Sequence, residues 1–533
     1  MNTILSICFG AILGLVTHHG LFIHGEWHVQ APYILVSHAL TLFYLVVASQ
    51  TGCQIYTSYA LALFMSITTY RLFFHRLTHI PGPFWARITK LWHLWKVRTS
   101  QNHFFLAELQ RQYGDFVRTG PSEITVFHPD VFMAVDGPLS NCDKAEWYDL
   151  LHPNKALVTA RTTDMHRDRR RQWNRGFTSK ALLQYKEQML SLIDQLETSI
   201  EADIAAGRVS DMSDYICWLS FDRMGEFVLG KSFNMLTNRH WHHIVLLLQK
   251  AMSILGPLSP VPWLVQVAFK LMPRVWILND WFTMVAWCEN ELKQVQTPTK
   301  TSPGTPALAH YLKGDSADDK TYEAWLTGDS ILAIVAGSEP TAGVLLGLFY
   351  ELARHPAQAD IIYKEILQHQ VDIRDGRAIS RHCRHLEASI FEAMRLYPSL
   401  PTGGNRKTPF DEGITVAGVF IPPETTVVGP KFVIGRREDC FADANKFIPE
   451  RWTTRPEMVR NRAAFAPFGT GHRSCLGRAL AINDMMLITA SIIRQYRMRF
   501  PAGETGDAVF RDWTDQFTSR LGRLRLIFEK REE

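Results

Sequence analysis

One cysteine stands in a segment whose residue types and spacing could do chemistry. The stretch AFAPFGTGHRSCLGRAL, residues 464–480, places Cys475 between a glycine-spaced loop and a helical pattern that continues through about Arg494. The thiolate is the metal-binding form of cysteine. A helix N-terminus favours it through partial positive charge and free N–H groups. Cys475 is therefore a candidate metal ligand, although a lone cysteine is by default a buried structural thiol.

The neighbours of this cysteine fit a thiolate that binds a large, flat cofactor. Gly469 and Gly471 let the backbone fold tightly and turn N–H groups toward the sulfur, where such donors tune what it binds. Gly477 would let a flat partner lie close to the helix start, and Phe468 would shield the sulfur from water. Arg473 offers a cation suited to a carboxylate. These residues predict an axial thiolate ligand for haem iron, with an arginine for a haem propionate.

This segment resembles the haem-ligand signature of the cytochrome P450 family, the haem-thiolate monooxygenases. Residues 468–477 match the pattern F-G-x-G-x-R-x-C-x-G at each defined position. The resemblance implies a mainly α (α+β) fold, in which a helix-rich domain carries small β-sheets. It covers the chain from about residue 79 to the end and implies haem b as the cofactor, with Cys475 as its axial iron ligand.

Two further segments resemble structural motifs of that family. Glu392 and Arg395 form an E-x-x-R pair, whose spacing puts both side chains on one helix face. Residues 447–452 resemble the family's P-E-R-W segment and contribute Arg451. In the family these three residues form a buried network that holds the haem core. The resemblance therefore implies a structural role for them.

A third set of residues is expected to bind the haem propionates. Residues 166–177 resemble the family helix that crosses one haem edge, usually with the pattern W-x-x-x-R. Counting back from Phe177 puts His166 at the tryptophan position and Arg170 at the arginine position. Arg406 stands where the family places another propionate arginine. A solvated basic helix face explains the other arginines of this segment, Arg167, Arg169 and Arg171.

The segment AGSEPT, residues 336–341, matches the family's oxygen-activating motif A-G-x-[DE]-T-[TS] at every position but one. In the family, the glycine leaves room for dioxygen, and the acid and alcohol relay protons. Here Pro340 replaces a threonine; it cannot relay a proton, and it would reinforce a local opening of the helix. The resemblance implies Glu339 and Thr341 as catalytic residues, with Ser338 and ordered water as alternative relay members.

The proline leaves more than one function open. The favoured hypothesis is a haem-dependent monooxygenase that inserts one oxygen atom from O₂ into an apolar small molecule. The alternative is a non-monooxygenase of the same fold, a peroxide isomerase or a dehydratase. A haem-binding sensor is a third hypothesis, and it predicts no need for Glu339, Thr341 or an electron donor.

Electrons are expected from a separate partner. The chain has no dinucleotide fingerprint after a strand and no length left for a flavin domain, so the resemblance implies a membrane-bound NADPH-dependent cytochrome P450 reductase. Its docking face is predicted at His472, Arg473, Arg478 and the basic run 167–175. The substrate is predicted to be apolar, because the family's pocket positions are mostly apolar or small here: Ala333, Ala336, Gly337, Leu400, Thr402, Gly403, Phe517 and Thr518.

The composition narrows the class of protein to which this chain can belong. Of the 533 residues, 46% are hydrophobic and 20% charged, which is typical of a folded globular chain. The net charge of +5 is too small to indicate nucleic-acid binding. The eight cysteines are scattered without a CxxC spacing, which argues against a disulfide framework and against zinc.

The first 74 residues differ from the rest. They hold no Lys or Arg before Arg71, and three apolar stretches run over 3–17, 32–49 and 55–74. The first is short and lacks a basic start, so it is a poor signal peptide. The second and third approach the ~20 residues that span a bilayer. A buried helical hairpin in a soluble protein is the alternative.

Basic residues after this region predict a cytosolic domain by the positive-inside rule. We therefore expect a membrane anchor with one to three transmembrane helices at 1–74, a proline-rich hinge at 75–84 and the haem-thiolate catalytic domain at 85–533, located at the endoplasmic reticulum membrane. The stretch HGEWHVQAP, residues 24–32, resembles a filamentous-fungal group that includes tryprostatin hydroxylase-like enzymes, which act largely on secondary metabolites.

Periodicity predicts the main elements of the domain. Helices are expected over 181–206, 323–354 and 383–397, short strands with a turn between 401 and 435, and a Pro/Thr/Ser-rich surface loop over 297–306. There are no internal repeats.

Overall fold

Helices dominate the chain. The computed structural model describes residues 3–48, 50–150, 152, 154–296, 307–312 and 319–532. Its α-helices are α1 (Thr3–Thr17), α2 (Ala31–Ala48), α3 (Gln50–Thr69), α4 (Phe84–Ile88), α5 (Leu91–Lys96), α6 (Asn102–Tyr113), α7 (Val131–Asp136), α8 (Thr163–Asn174), α9 (Ser179–Gln184), α10 (Lys186–Ala205), α11 (Met212–Leu229), α12 (Met235–Asn238), α13 (His243–Met252), α14 (Leu255–Leu258), α15 (Pro262–Leu271), α16 (Ile277–Gln296), α17 (Leu308–Tyr311), α18 (Asp319–Arg354), α19 (Pro356–Gln368), α20 (Gly376–His382), α21 (Arg384–Leu396), α22 (Lys431–Ile434), α23 (Arg478–Gln495) and α24 (Ala508–Arg511).

In the part of the chain that the structure describes, the strands are short and form four small sheets. They are β1 (Phe116–Gly120), β2 (Glu123–Val126), β3 (Asp143–Lys144), β4 (Ser210–Asp211), β5 (Asn405–Lys407), β6 (Ile414–Val416), β7 (Val419–Ile421), β8 (Thr426–Val428), β9 (Tyr496–Arg499), β10 (Thr514–Gln516), β11 (Thr518–Arg520) and β12 (Arg525–Lys530). The largest sheet has the order β1-β2-β8-β5-β3. Its β3–β5 register pairs Lys144 with Arg406, which brings two cations to one sheet edge. The strands expected between 401 and 435 are confirmed as β5 to β8.

The core is built around α18, which packs against α11, α21 and α23. Leu345, Phe349, Ile390 and Leu487 from these helices are fully buried in one cluster. Residues 324–354 of α18 are long and apolar enough to cross a membrane, but 67% of that window is buried within the domain. Burial on all sides makes α18 a core helix rather than a span.

Two details of the core differ from the expectations. The helix expected over 181–206 is two helices, α9 and α10, which meet at Tyr185. The long helix begins earlier than expected and runs without a break through Pro340, so the predicted opening does not interrupt it. The loop predicted over 297–306 lies outside the described residues.

The N-terminal helices pack through small residues and leave their apolar side chains exposed. A π-helical turn, His18–Phe22, extends α1, so that Thr3–Phe22 forms a 20-residue helix of mean hydropathy 1.7. The first of the three apolar stretches therefore extends to the length of a membrane span. Among the described residues, the apolar run Ala31–Val47 of α2 is shorter than that test requires.

The segment expected as a hinge is fixed against the large sheet. The Arg118 N–H on β1 donates to the Pro81 carbonyl oxygen at 2.7 Å. A Cβ added at Gly82 would lie 2.4 Å from the Arg118 carbonyl oxygen, so only glycine allows this close approach. The connection therefore holds the N-terminal helices to the domain at a defined place.

Candidate active site

A cavity of about 490 Å³ lies between α18, α23 and the loop that precedes α23. This volume falls within the roughly 300–1,000 Å³ of small-molecule and cofactor sites. Most of its lining is apolar, and its basic side chains include Lys144, His166, Arg170, Arg406 and Arg473. A flat, largely apolar ligand with anionic groups would suit this distribution.

Cys475 lies in the cavity wall with its thiol open to the cavity. Its N–H donates to the Phe468 carbonyl oxygen at 2.8 Å, which fixes the turn before α23. Burial raises the pKa of the thiol, while the Gly477 N–H and the charges of Arg170 and Lys431 oppose this. A bound cation would reverse the balance, because a metal-ligating thiol is deprotonated.

The loop around the cysteine depends on one glycine in particular. Gly471 has φ +65°, and a Cβ there would lie 2.1 Å from the Asp136 carbonyl oxygen. Gly469 also has positive φ. Gly477 lines the cavity, where a Cβ would meet protein atoms only at ordinary contact distance. Phe468 packs against the core, with the Arg478 guanidinium 5.8 Å from its ring centroid.

Three arginines predicted for propionates lie at the cavity. The Arg473 side chain is 3% exposed and its Nη2 donates to Asp143 at 3.0 Å, while its Nη1 is buried and has no partner among the described residues. Arg406 donates from Nε to Asp136 at 2.6 Å and from Nη1 to the Tyr148 hydroxyl at 3.0 Å. Arg170 donates to the Ser474 carbonyl oxygen at 2.5 Å.

Two more basic groups lie beside these arginines. His166 is buried, and burial together with the charges of Lys144, Arg473 and Arg170 lowers its pKa to about 3. It is therefore neutral in this environment, and one ring nitrogen can donate to an anion. Lys144 is a further cation that sequence reasoning missed; it donates to the Val158 carbonyl oxygen at 2.7 Å. Burial lowers its pKa well below the usual value.

The E-x-x-R residues lie in one buried network. Glu392 accepts from Arg395 at 2.7 and 2.9 Å and from Arg451 at 2.9 Å. The Trp452 indole N–H and the Ile448 N–H donate to the same carboxylate at 2.9 and 3.0 Å. The two arginines lower the pKa of Glu392 against the opposing effect of burial. Its charge is thus fully compensated.

The segment 336–341 lines the cavity at Ala336, Gly337, Pro340 and Thr341. A Cβ at Gly337 would lie 2.3 Å from the Met224 sulfur, so the Met224 side chain of α11 fills the space that this glycine leaves. The Ser338 hydroxyl donates to the Ile334 carbonyl oxygen at 2.6 Å, so it is not available as a relay member.

Glu339 has a partner that sequence reasoning did not find. The Thr518 hydroxyl on β11 donates to its carboxylate, and Thr518 lines the cavity. Burial raises the pKa of Glu339, opposed by this bond and by Arg520. No local spacing could have paired positions that lie 179 residues apart.

Seven of the eight predicted pocket positions line the cavity: Ala333, Ala336, Gly337, Leu400, Gly403, Phe517 and Thr518. Thr402 does not. Its hydroxyl donates to Asp515 and accepts from Asn102, which turns it toward β10 and α6. The pocket prediction was therefore wrong at this position.

The predicted docking face needs correction at three residues. Arg473 is buried and directed into the cavity, so it cannot contact a partner. Arg169 is also buried, paired with Asp329 of α18 and 5.4 Å from the Trp325 ring, and it does not belong to a solvated helix face. Arg170 of the same run is half-buried and lines the cavity. The other basic residues named for this face are exposed: Arg167, Arg171, Arg175, His472 and Arg478.

These residues fit a haem group. A cysteine thiol faces an apolar cavity, and a buried arginine nitrogen lacks a partner where a propionate would accept from it. The charges of Lys144, Arg473 and Arg170 act on His166, so these basic groups lie near one another. All eight cysteines are free, so no disulfide competes for the thiol.

The comparisons with known proteins agree with the geometry. The sequence matches the family model for cytochrome P450 over residues 81–520. It is 33% identical to the cytochrome P450 monooxygenase FCK2 of Fusarium pseudograminearum, covering 98% of this chain and 97% of that protein. It is 32% identical to the tryprostatin B 6-hydroxylase of Aspergillus fumigatus, covering 98% of this chain and 95% of that one.

A solved structure shows the same fold. The crystal structure of the cytochrome P450DA heme domain superposes with a TM-score of 0.67 at 17% identity, over 85% of this chain and 98% of that one. The named relatives are monooxygenases and a hydroxylase, and they give no support to the isomerase, dehydratase or sensor alternatives. The chain belongs to the cytochrome P450 family and is a haem-dependent monooxygenase.

Proposed function

We propose that this chain is a membrane-anchored monooxygenase that hydroxylates, or similarly oxidises, an apolar small molecule in fungal secondary metabolism. The observation that carries the proposal is the cavity itself, which joins the Cys475 thiol and a set of cations to largely apolar walls. Relatives that cover nearly the whole chain include one named for hydroxylating tryprostatin B, which supports this substrate class.

Cys475 would ligate the haem iron, and the cations would hold the propionates. The unpartnered Arg473 Nη1 is placed to donate to one carboxylate, with His166, Arg170, Arg406 and Lys144 beside it. When bound, the haem supplies oxygen activation and atom transfer, which thiolate ligation favours. The apolar walls orient the substrate and exclude water. Substrate, dioxygen, two electrons and two protons give the oxygenated product and water.

The proton relay is proposed to run through Glu339 and Thr518. Pro340 removes the usual hydroxyl, but the Thr518 hydroxyl lines the cavity and is already bonded to the Glu339 carboxyl. Burial raises the pKa of Glu339, which favours the protonated form that a general acid requires. Thr341 also lines the cavity and is the second candidate donor of this relay.

Matched threonine variants separate the two hydroxyls. We expect Thr518→Val to lower the fraction of NADPH electrons recovered in product by about tenfold or more, with substrate binding kept, and Thr341→Val to lower it less. Thr518→Val should also shift the infrared carbonyl band of protonated Glu339, which Thr341→Val should leave unchanged. Equal coupling in the wild type and Thr518→Val would exclude Thr518 from the relay.

NADPH is proposed to reach the site through a separate reductase. The residues Arg167, Arg171, Arg175, His472 and Arg478 are exposed, and α8 is tied to the cysteine loop through the bond from Arg170 to the Ser474 carbonyl oxygen. The positive charge of the exposed arginines would attract an acidic partner. Arg171→Glu should slow reduction by the reductase most at low ionic strength. Arg499→Glu, an exposed arginine on the distant strand β9, is the matched control.

Residues 1–74 are proposed to anchor the enzyme in the endoplasmic reticulum membrane with the domain in the cytosol. The helix Thr3–Phe22 is long and apolar enough to span a bilayer, and the first basic residues follow at Arg71. Flotation of the full chain with microsomes, and protection of the helices within 1–74 from added protease, would test this placement.

The decisive test of the function uses isotopically labelled dioxygen. The chain is co-expressed with a reductase, and candidate apolar substrates, including indole alkaloids such as tryprostatin B, are screened with NADPH. We expect one labelled oxygen atom in the product and no turnover without NADPH. Turnover of a peroxide without NADPH and without label incorporation would contradict the proposal.

A further inference from the structure

The loop between the first two N-terminal helices is bound to the catalytic domain by charged groups. It contains Glu26 and His28, both largely removed from solvent. This loop lies within residues 24–32, the stretch that resembles the filamentous-fungal group of enzymes. Neither Glu26 nor His28 takes part in the haem site. An anchor alone would not need two ionisable groups directed into the domain that it tethers.

Glu26 makes the central contact. Its two carboxylate oxygens accept from Arg161 Nη1 and Nη2 at 2.7 and 2.9 Å, which is a paired, planar arrangement. Lys407 Nζ donates to the same carboxylate at 2.5 Å. Although burial alone would raise the pKa of Glu26, the hydrogen bonds and charges of Arg161 and Lys407 lower it to about 2.

The loop also binds a turn of the cavity wall. His28 Nε2 lies 2.8 Å from Asp149 Oδ2, and Arg161 Nη1 donates to the same oxygen at 2.6 Å. Asp149 is the last residue of the short 3₁₀ turn Glu146–Asp149. Trp147, Tyr148 and Leu150 of this segment all line the cavity.

The turn has direct links to the active site. The Trp147 ring stacks on Phe517 with 4.0 Å between centroids, and the Tyr148 hydroxyl accepts from Arg406 at 3.0 Å. Lys407 directly follows Arg406 on β5. A movement of Asp149 would therefore displace both an apolar wall and a partner of a propionate arginine.

A second helix of the wall is tied to the same loop. Lys270 of α15 donates to the Val29 carbonyl oxygen at 3.1 Å. On the same helix, Gln266 donates to the Asp149 and Leu150 carbonyl oxygens at 2.9 and 3.1 Å. The loop, the 3₁₀ turn and α15 thus form one connected set of polar contacts.

Glu26, His28 and Asp149 also meet the geometry of a metal-binding group, since their ligand atoms lie within 4.8 Å of one another. Two cations already occupy the carboxylates, because Arg161 binds both acids and Lys407 binds Glu26. A divalent ion would have to displace these charges. The cluster is therefore an ion-pair network.

We propose that the loop at 24–29 supports the wall of the active-site cavity from outside the cavity, with Glu26 as the positioning residue that holds the turn at 146–150 in place. The N-terminal segment then shapes the substrate cavity in addition to anchoring the chain. Variants that release Glu26 should loosen Trp147, Tyr148 and Leu150 while the distant parts of the domain keep their structure.

The test is hydrogen exchange of the full-length chain in nanodiscs, with Glu26→Gln as the variant. We expect amides of residues 143–150 to exchange about tenfold faster, and amides of α21 and α23 to be unchanged, because local openings are independent of the core. Phenylimidazole, which fills the cavity above the haem, should bind more weakly. The exchange result depends only on the fold, so it stands even if the proposed reaction fails.

A matched control and a double mutant sharpen the result. Glu529→Gln removes an exposed partner of Arg499 on a distant sheet and should change neither readout. Arg161→Gln should increase the exchange rate at 143–150 about as much as Glu26→Gln does. The double variant should show little further increase over either single variant. Unchanged exchange at 143–150 in Glu26→Gln would overturn the proposal. Faster exchange throughout the domain would overturn it too, because the role would then be general stability.

Discussion

The N-terminal helices and the catalytic core use apolar side chains in opposite ways. On α1, Ile4 is 70% exposed, while Ser6, Gly10 and Gly14 are buried against α3. In the core, Phe349 on α18 is fully buried. Helices in lipid associate through small residues, because lipid tails are as apolar as leucine. Helices in water associate by burying apolar area.

Polar groups follow the same contrast. The core buries ions only where partners compensate them, as around Glu392. Before Arg71, Glu26 is the only Asp, Glu, Lys or Arg in the sequence, and it lies in a loop. The segments expected to lie in the membrane therefore hold none of these residues before Arg71. The two regions therefore treat polar and apolar side chains differently, and the loop that carries Glu26 joins them.

The largest expected effect comes from breaking a compensated ion in the core. Glu392→Ala would leave Arg395 and Arg451 buried without their acid, and removal of one partner of such a network costs about 3–5 kcal/mol. We expect loss of folded enzyme on expression. Glu457→Ala removes an exposed acid beside Arg455 and is the control. Its thermal unfolding temperature should stay close to that of the wild type. A stable, haem-containing Glu392→Ala would refute the structural role.

A smaller effect should follow from widening the N-terminal helix contact. A Cβ at Gly10 would lie 2.1 Å from Ser58 Oγ and 2.3 Å from the Ile55 carbonyl oxygen, whereas one at Gly20 would meet nothing within 4 Å. Gly10→Leu should weaken the pairing of α1 with α3 by about 1–3 kcal/mol, and Gly20→Leu should not.

Spin labels on the native, exposed Cys8 of α1 and Cys53 of α3 would measure this pairing. The label-to-label distance in nanodiscs should broaden in Gly10→Leu and stay narrow in Gly20→Leu. The same distribution in both variants would show that the close helix contact does not form in lipid.

A pH effect of similar or smaller size is expected in the core. Burial raises the pKa of Asp515 from 3.8 to about 6, against hydrogen bonds from Thr402 and the Phe517 N–H. The folded state therefore binds more protons than the unfolded state between these values, and stability falls as pH rises through this window.

Asp515→Asn removes this penalty. The variant should raise the free energy of unfolding by about 1–3 kcal/mol near pH 7.5 and by much less near pH 4. This size follows from converting the pKa shift of Asp515 into a free energy. Denaturant unfolding at the two values tests the sign. A variant that is destabilised equally at both would show that the hydrogen bonds to the carboxylate outweigh the cost of its burial.

The smallest effect on stability should come from exposed apolar side chains. Phe43 on α2 is 70% exposed, so Phe43→Ser should change the unfolding of detergent-solubilised enzyme by no more than about 0.5 kcal/mol. It should nevertheless weaken membrane partitioning by about 1.5–3 kcal/mol. Leu139→Ser, at a 95% exposed site in the catalytic domain, is the control for vesicle flotation. Equal flotation of both variants would argue against α2 as a lipid-facing helix.

The sequence was informative where function depends on local spacing. Cys475 with its glycines, and the pair Glu392 and Arg395, follow patterns within one loop or one helix turn. The partners that complete the site come from distant parts of the chain, such as Thr518 for Glu339 and Glu26 for Arg161. One sequence carries no signal for these pairings.

The errors have the same origin. Helical periodicity alone did not separate Arg169, which binds buried Asp329, from its exposed neighbours. Arg473 was assigned both to the cavity and to a docking face, and burial excludes the second. Thr402 lies between two true pocket residues but bonds Asp515. Direction of a side chain depends on tertiary contacts, which local spacing does not contain.

The most direct test of the proposed site is the carbon monoxide difference spectrum of the reduced enzyme in microsomes, recorded for the wild type and Cys475→Ala. We predict a strongly red-shifted Soret band in the wild type and its disappearance in the variant, because only a thiolate ligand produces that shift. The same red-shifted band in Cys475→Ala, or a wild-type band typical of a histidine or neutral thiol ligand, would contradict ligation by Cys475 and the mechanism that depends on it.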